Sequence, residues 1–246
     1  RKLLRIIKDK GLQKQFYRDH GIPTQDFALI DDRSGIAAHS ALLPAFLKSR
    51  TGGYDGKGVM KLSDAASVET AFDLPMVVEE CIDFQTEISV IIARNAAGEI
   101  MPYPAVDMEF NTQANLVEFL CSPARISFDL EMKARQIAVD VIEAAGLVGI
   151  LAVEMFVTRD GEILVNEIAP RPHNSGHQTI EGNITSQYAQ HLRAILGLPL
   201  GDSAILRPAV MINLLGEDGH SGEAHYAGLE DAMVLPEVYV HLYGKK

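Results

Sequence analysis

Ile150-Leu151-Ala152-Val153-Glu154-Met155-Phe156-Val157-Thr158-Arg159-Asp160-Gly161-Glu162-Ile163-Leu164-Val165-Asn166-Glu167-Ile168 consists of two apolar, largely branched runs around an Asp-Gly pair. Such runs favour extended backbone, and Asp-Gly between them is a strong short-range hairpin signal. A two-residue turn at Asp160-Gly161 sets Arg159 opposite Glu162 and therefore Glu154 opposite Glu167. On one face of a ribbon their Cβ atoms would lie about 5 Å apart. Like charges so placed repel, and something must offset them. Two kinds of reading fit: a divalent cation shared with phosphate oxygens, a role that suits Mg²⁺, or a bland one, either a slipped register or two solvated glutamates on an exposed face.

Outward from the hairpin, apolar residues at 134, 137, 138, 141, 142 and 145 form a helical stripe over 132–145 that ends at Gly146. A second helix is expected over 9–20, closed by Gly21 with Pro23 beyond, and a third over about 186–196, closed by Gly197 and Pro199. Short apolar runs at 27–30, 45–47, 76–78 and 87–93 predict strands, and after Ala204 only short strand-like runs follow. Helices and strands mix without strict alternation. The expected class is α+β with a small β-rich end piece.

The bulk properties narrow the function. The chain has 246 residues, 47% hydrophobic and 22% charged, which is the composition of a globular protein. Its formal net charge of -11 opposes binding to nucleic acid or to an anionic membrane. An acidic chain can still hold anions, but only in a local basic or backbone-amide pocket. Cys81 and Cys121 are the only cysteines and form no CxxC pair, so a disulfide framework or thiolate zinc site is not expected. No signal peptide and no apolar run of about 18 residues is seen, and a reducing cytoplasm fits.

Two loops carry further chemistry. Thr51-Gly52-Gly53-Tyr54-Asp55-Gly56-Lys57-Gly58 could wrap phosphate oxygens in backbone N–H groups, since glycine tolerates positive φ. It fits neither a Walker A loop nor G-x-G-x-x-G; Lys48 and Lys57 bring positive charge, and a plain surface loop is the other reading. Behind the hairpin, Ala169-Pro170-Arg171-Pro172-His173-Asn174-Ser175-Gly176-His177 packs an arginine, two histidines and small polar residues between prolines. Zinc would need a third ligand that the segment lacks. An anion or polar-ligand site led by Arg171 suits the guanidinium fork, and a solvated loop is the alternative.

Taken together, these segments resemble the ATP-grasp ligases, most closely the N5-carboxyaminoimidazole ribonucleotide synthetases. The resemblance runs through Asp9-Lys10 with Gln13-Lys14, Leu47 to Gly58, Val78 to Phe84, Glu87 to Val90, Asn166 to His177, Leu198 to Gly201 and His241 to Lys245. The GGYDGKG and APRPHNSGH stretches carry most of its specificity. It begins after the family's N-terminal domain and stops within a C-terminal one. It implies an ATP-grasp fold, in which two α+β subdomains grip ATP, here as a helix at 1–20, a small lid subdomain at 21–75, a large subdomain at 76–200 and a β-rich piece at 201–246.

The resemblance also implies a reaction. ATP phosphorylates bicarbonate, and the amine of 5-aminoimidazole ribonucleotide captures the CO₂ released. Lys10 and Lys48 would contact phosphates, with the loop Gly53, Tyr54, Asp55, Gly56, Lys57 and Gly58 closing over them. The backbone of Glu79, Glu80, Cys81 and Ile82 would read the adenine edge, and Glu87 would hold the ribose. Glu154 and Glu167 would hold Mg²⁺ or Mn²⁺, with Asn166 beside the nucleotide. Tyr54, Asp55, Arg171, His173, Asn174, Ser175 and Lys245 would shape the bicarbonate and substrate side, with Arg171, Lys48 and Asp55 nearest the chemistry. A homodimer is the implied assembly. A formate-using transformylase, a biotin carboxylase and a non-catalytic nucleotide-binding module stay open as alternatives, although the 171–177 segment argues against the two other ligases.

Overall fold

The computed structural model describes residues 2–52, 58–111, 116–214 and 222–242. It divides into two units, Arg1–Ile212 and Asn213–Lys246. In the first, α1 (Lys2–Lys8) and α2 (Lys10–Asp19) lead into β1 (Phe27–Ile30), β2 (Ala45–Ser49), β3 (Val59–Leu62) and β4 (Met76–Glu80). These four strands form an antiparallel sheet in the order β1-β4-β2-β3. Its core packs Leu47, Leu62, Met76 and Val78 against Ile36.

Next come β5 (Phe84–Arg94), β6 (Ile100–Pro102), β7 (Val106–Asn111), β8 (Leu116–Ser122), α3 (Phe128–Ala145), β9 (Gly149–Thr158), β10 (Ile163–Ala169), α4 (Thr179–Gly182), α5 (Gln187–Ile195) and β11 (Ala209–Ile212). The strands build a seven-stranded antiparallel sheet, β10-β9-β5-β7-β8-β11, with β6 on β5. The Ser127 hydroxyl caps α3, and Gly146 ends it at φ 57, the left-handed turn that glycine adopts without a Cβ clash. Ala134, Ile137, Ala138, Val141 and Ile142 lie one helical stripe apart and bury against Ile88, Val90 and Ile92 of β5 and Leu151, Val153 and Met155 of β9. Period-two alternation therefore turns Glu87, Ser89 and Glu154 to the opposite face. That face carries the candidate site.

Four expectations are corrected. The hairpin has three loop residues, not two: Thr158 N–H donates to Glu162 O at 2.9 Å, and Gly161 stands at φ 84. The Thr158 hydroxyl, bonded to Asp160 Oδ1 at 2.6 Å and accepting from Glu162 N–H at 2.9 Å, holds this turn. Val165 then pairs with Met155, but a bulge at Asn166 shifts the ladder, and Glu167 pairs with Glu154. The extra loop residue and the bulge cancel, so the two glutamates face each other as expected, by a different route. Second, the small sheet does not stop at residue 75, because β4 lies inside it between β1 and β2.

Third, the first unit runs beyond residue 200, since β11 pairs with β8 in the large sheet. Fourth, the described part of the second unit holds one short helix, α6 (Leu229–Val234), and no strand. Apolar runs there suggest strands, but a strand exists only by pairing. No helix among the described residues is long and apolar enough to cross a membrane.

Candidate active site

Helix α2 presents Lys10 and Lys14 four residues apart, one above the other on one face. The Asp9 carboxylate caps it, accepting from Gly11 N–H at 2.9 Å and Leu12 N–H at 3.1 Å. Arg50, at the end of β2, grips the same carboxylate through Nε at 3.0 Å and Nη2 at 2.7 Å. The helix start is thereby tied to the small sheet. Beside it, Ile7, Lys8, Lys10, Arg50, Thr51 and Gly52 line a depression of about 440 Å³. Lys8, Lys10 and Arg50 bring local positive charge to it on an acidic chain.

From the small sheet, Lys48 reaches across to the large one. Its Nζ lies 2.8 Å from Glu79 Oε2 and donates to Asn166 Oδ1 at 2.9 Å. Glu79 is buried; it also accepts from Gln25 Nε2 at 2.8 Å, and Lys14 Nζ stands 3.6 Å away. Lys14, equally buried, donates to the Thr24 hydroxyl at 2.8 Å. Thr24 in turn donates to Val165 O at 2.7 Å, while Val165 N–H donates to Pro23 O at 2.8 Å. The link between α2 and β1 thus clamps β10 next to its bulge. Lys10 Nζ completes the arrangement at 2.5 Å from Glu167 Oε2.

These contacts set the charges. Burial works to raise the Glu79 carboxyl, yet Lys48 and Lys14 outweigh it and hold it below its usual value. Burial likewise opposes ionised Glu167, and Lys10 and Lys48 more than offset it. Lys48 stays above its usual value because Glu79 and Glu167 outweigh its own desolvation. Burial pushes Lys14 down to about 7, with Glu79 opposing and Lys48 adding to the shift. Glu87 is pushed up to about 7 by burial and by neighbouring Glu154, with Lys48 opposing. Two carboxyls on one face thus carry unlike charge tendencies, set by which lysines each meets.

Behind the hairpin, the loop folds onto the same face. His173 Nε2 lies 3.1 Å from Glu154 Oε1, and Ser175 Oγ lies 2.8 Å from His173 Nδ1. The structure thus brings Lys10, Lys48, Glu79, Glu87, Glu154, Asn166, Glu167, His173 and Ser175 together. Gly58 sits at the end of the glycine-rich loop, accepting from Ser49 N–H at 2.8 Å. Gly53, Tyr54, Asp55, Gly56, Lys57 and Lys245 lie outside the described residues. Arg171 is exposed and donates to the neighbouring Pro172 O, at 3.1 Å. Asn174 Oδ1 is buried with no hydrogen-bond partner among the described residues.

Two expectations about backbone and hydroxyl groups change. Glu80 N–H donates to Asp26 O at 2.9 Å and Cys81 N–H to Pro44 O at 3.1 Å, so neither amide remains for an adenine edge. The Ser175 hydroxyl, fully buried, bonds Ser89 and His173 and does not open to a substrate. Sequence reasoning gave no role to Lys14, Gln25, Ser89 or Gln187. Spacing offered a signal for two of them, since Lys14 is one helical turn from Lys10 and Ser89 two strand positions from Glu87.

Among the described residues no three His, Cys, Asp or Glu side chains cluster tightly enough to cage a metal by themselves. Two carboxylates with lysines opposite suit a hard cation whose remaining ligands come from phosphate, which is the mode of Mg²⁺.

Comparison with known proteins agrees with this architecture. The ATP-grasp domain matches residues 15–188, and the C-terminal domain of phosphoribosylaminoimidazole carboxylase matches residues 209–246. The N5-carboxyaminoimidazole ribonucleotide synthase of Bacillus subtilis is 39% identical over 250 residues, covering 99% of this chain and 63% of that protein. The crystal structure of the Thermotoga maritima synthetase superposes with a TM-score of 0.87 at 43% identity, over 99% of this chain and 64% of that one. An Aspergillus clavatus synthase, in complex with ADP and 5-aminoimidazole ribonucleotide, gives 0.79 at 32% identity, over 88% of this chain and 59% of that one. The chain therefore spans less than two thirds of these relatives. With the two sheets, the facing glutamates and the lysines between them all inside residues 1–212, and the domain match covering most of that span, the chain belongs to the ATP-grasp family.

Proposed function

We propose that this chain carries the nucleotide-binding body of a ligase that uses ATP and bicarbonate to carboxylate 5-aminoimidazole ribonucleotide, giving N5-carboxyaminoimidazole ribonucleotide, ADP and phosphate. One observation carries the proposal: Glu154 and Glu167 face each other across β9 and β10, while Lys10 and Lys48 converge on the same spot from α2 and the small sheet. Similarity to synthases of this reaction supports it. In organisation, the small sheet to Glu80 acts as the lid, the large sheet to Ile212 as the base, and 213–246 as a second unit.

In mechanism, a bicarbonate oxygen attacks the γ-phosphorus of ATP and ADP leaves. The resulting carboxyphosphate releases CO₂ and phosphate, and the substrate's exocyclic amine bonds to the CO₂ carbon. Lys10 and Lys48 neutralise phosphate charge as it redistributes, and Glu79 holds Lys48 at its post. Glu154 and Glu167 would hold Mg²⁺, which supplies charge neutralisation on the phosphates. Glu87, ionised, accepts from the ribose hydroxyls; backbone groups of the 79–82 segment other than the two committed amides read adenine. Gly53 to Gly58 closes over the phosphates, with Tyr54 and Asp55 toward the aminoimidazole. His173, Asn174 and Arg171 border the bicarbonate side, and Lys245 the substrate phosphate. The active species is a homodimer, which light scattering reads.

In a polypeptide of the relatives' full length, ADP release should require both bicarbonate and 5-aminoimidazole ribonucleotide. Equal ATPase activity with formate or biotin in place of these substrates refutes the assignment.

A further inference from the structure

Ser89 lies at the centre of the large sheet, completely buried, directly across the β5–β9 ladder from Glu154. Alternation places both side chains on the site face. A polar residue so deep must be satisfied, and Ser89 Oγ meets Ser175 Oγ at 2.7 Å. Ser175 Oγ continues to His173 Nδ1 at 2.8 Å, and His173 Nε2 reaches Glu154 Oε1 at 3.1 Å. Four side chains thus close a loop that begins and ends on one ladder pair.

The backbone decides which way the protons point. Ser175 N–H reaches His173 Nδ1 at 3.3 Å, capping the short turn 174–176. An amide can only donate, so Nδ1 accepts. A neutral imidazole that accepts at Nδ1 carries its hydrogen on Nε2, where the Glu154 oxygen waits. The hydroxyls then align in one direction: Ser89 donates to Ser175, and Ser175 to Nδ1. Reversing the ring's tautomer would set the Nε2 lone pair against a carboxylate oxygen.

Packing keeps the ring where the chain needs it. Gln187, fully buried, accepts from His173 N–H at 2.9 Å and donates to His173 O at 2.8 Å. A Cβ at Gly176 would lie 2.5 Å from Gln187 Oε1 and 3.0 Å from Ile91, so the loop rests directly on β5.

We propose that Ser89 and Ser175 are positioning residues that fix His173 as the Nε2–H tautomer, so that His173 orients Glu154 for a divalent cation. The inference rests on the metal role given to Glu154 in the proposed function. Outer partners of this kind commonly change metal affinity by about 10- to 100-fold. Their usual task is to orient a ligating imidazole through a carboxylate; here the imidazole orients the carboxylate.

The 246-residue chain, labelled with ¹⁵N at histidine and free of metal, tests this by long-range ¹H–¹⁵N spectra and by Mn²⁺ titration in the presence of ADP. His173 should show the Nε2–H tautomer, and Ser89→Ala and Ser175→Ala should each yield a tautomer mixture. Both variants should weaken Mn²⁺ about tenfold and leave ADP affinity without metal unchanged. Thermal melts confirm folding, and the two substitutions remove different links, so that one suffices should the other unfold. An Nδ1–H tautomer in the unmodified chain, or Mn²⁺ affinity equal in all three proteins, overturns the proposal alone. If the unmodified chain binds no Mn²⁺ with ADP, the metal role falls and this inference falls with it.

Discussion

At the scale of single residues, Glu79 shows how burial turns a charge into a fixture. Its carboxylate is buried between Lys48 and Lys14, and neither lysine has water enough to stand alone. Breaking such a group by removing one member leaves charge uncompensated at about 3–5 kcal/mol. Glu79→Gln should destabilise the chain by that order in urea melts, far more than loss of the exposed pair Arg159–Asp83. Glu87 makes a second prediction. Its carboxyl, pushed up to about 7, is largely protonated below that pH and ionised above it. If Glu87 accepts from ribose hydroxyls, ADP affinity measured by calorimetry should increase as pH rises through 7, and Glu87→Gln should flatten the profile. A wild-type affinity that falls over this range would contradict the ribose role.

At the scale of elements, the hairpin shows two local features setting one register. Gly161 at φ 84 occupies a conformation that costs an L-residue about 1–2 kcal/mol. Gly161→Ala should lower stability by that amount in urea while leaving Mn²⁺ binding in place, because no atom stands near the added methyl and the bulge lies further along the strand. Much of this level was legible. The stripe from Ala134 to Ile142 required a helix, and Asp160-Gly161 required a reversal between strands. Loop length was not legible, since it depends on Thr158 spending its hydroxyl on Asp160 and Glu162. The bulge was not legible either: it lies next to Val165, whose backbone groups meet Pro23 and Thr24, distant in sequence. Equating apolar runs with strands failed beyond Ile212 for the same reason, as pairing partners are not written in the run itself.

At the scale of the whole first unit, Lys14 marks where helix α2, the small sheet and the large sheet meet. Folding pushes its ammonium down to about 7, while the unfolded chain keeps the proton to the ordinary value of 10.5. Between these limits the unfolded state binds more protons, so stability should climb with pH, by at most about 1.4 kcal/mol per unit. Below about 7 both states hold the proton and the contribution is level. Lys14→Met removes the titrating group, and its urea midpoints at pH 7.5 and 9.0 should differ less than those of the wild type. Parallel shifts in both proteins would show that Lys14 is not the cause.

By itself, the order of residues determined the helix over Ala134 to Ile142, the reversal between strands at Asp160-Gly161, and the acidic balance of the chain. These follow from side-chain volume, periodicity and charge, which are local. Only the tertiary structure decided that Glu79 turns inward to hold Lys48, that Ser175 faces Ser89 and not a substrate, and that β4 and β11 join the sheets they do. Each of those outcomes depends on which donor meets which acceptor once both are withdrawn from water, and such a meeting is a property of contacts between distant segments.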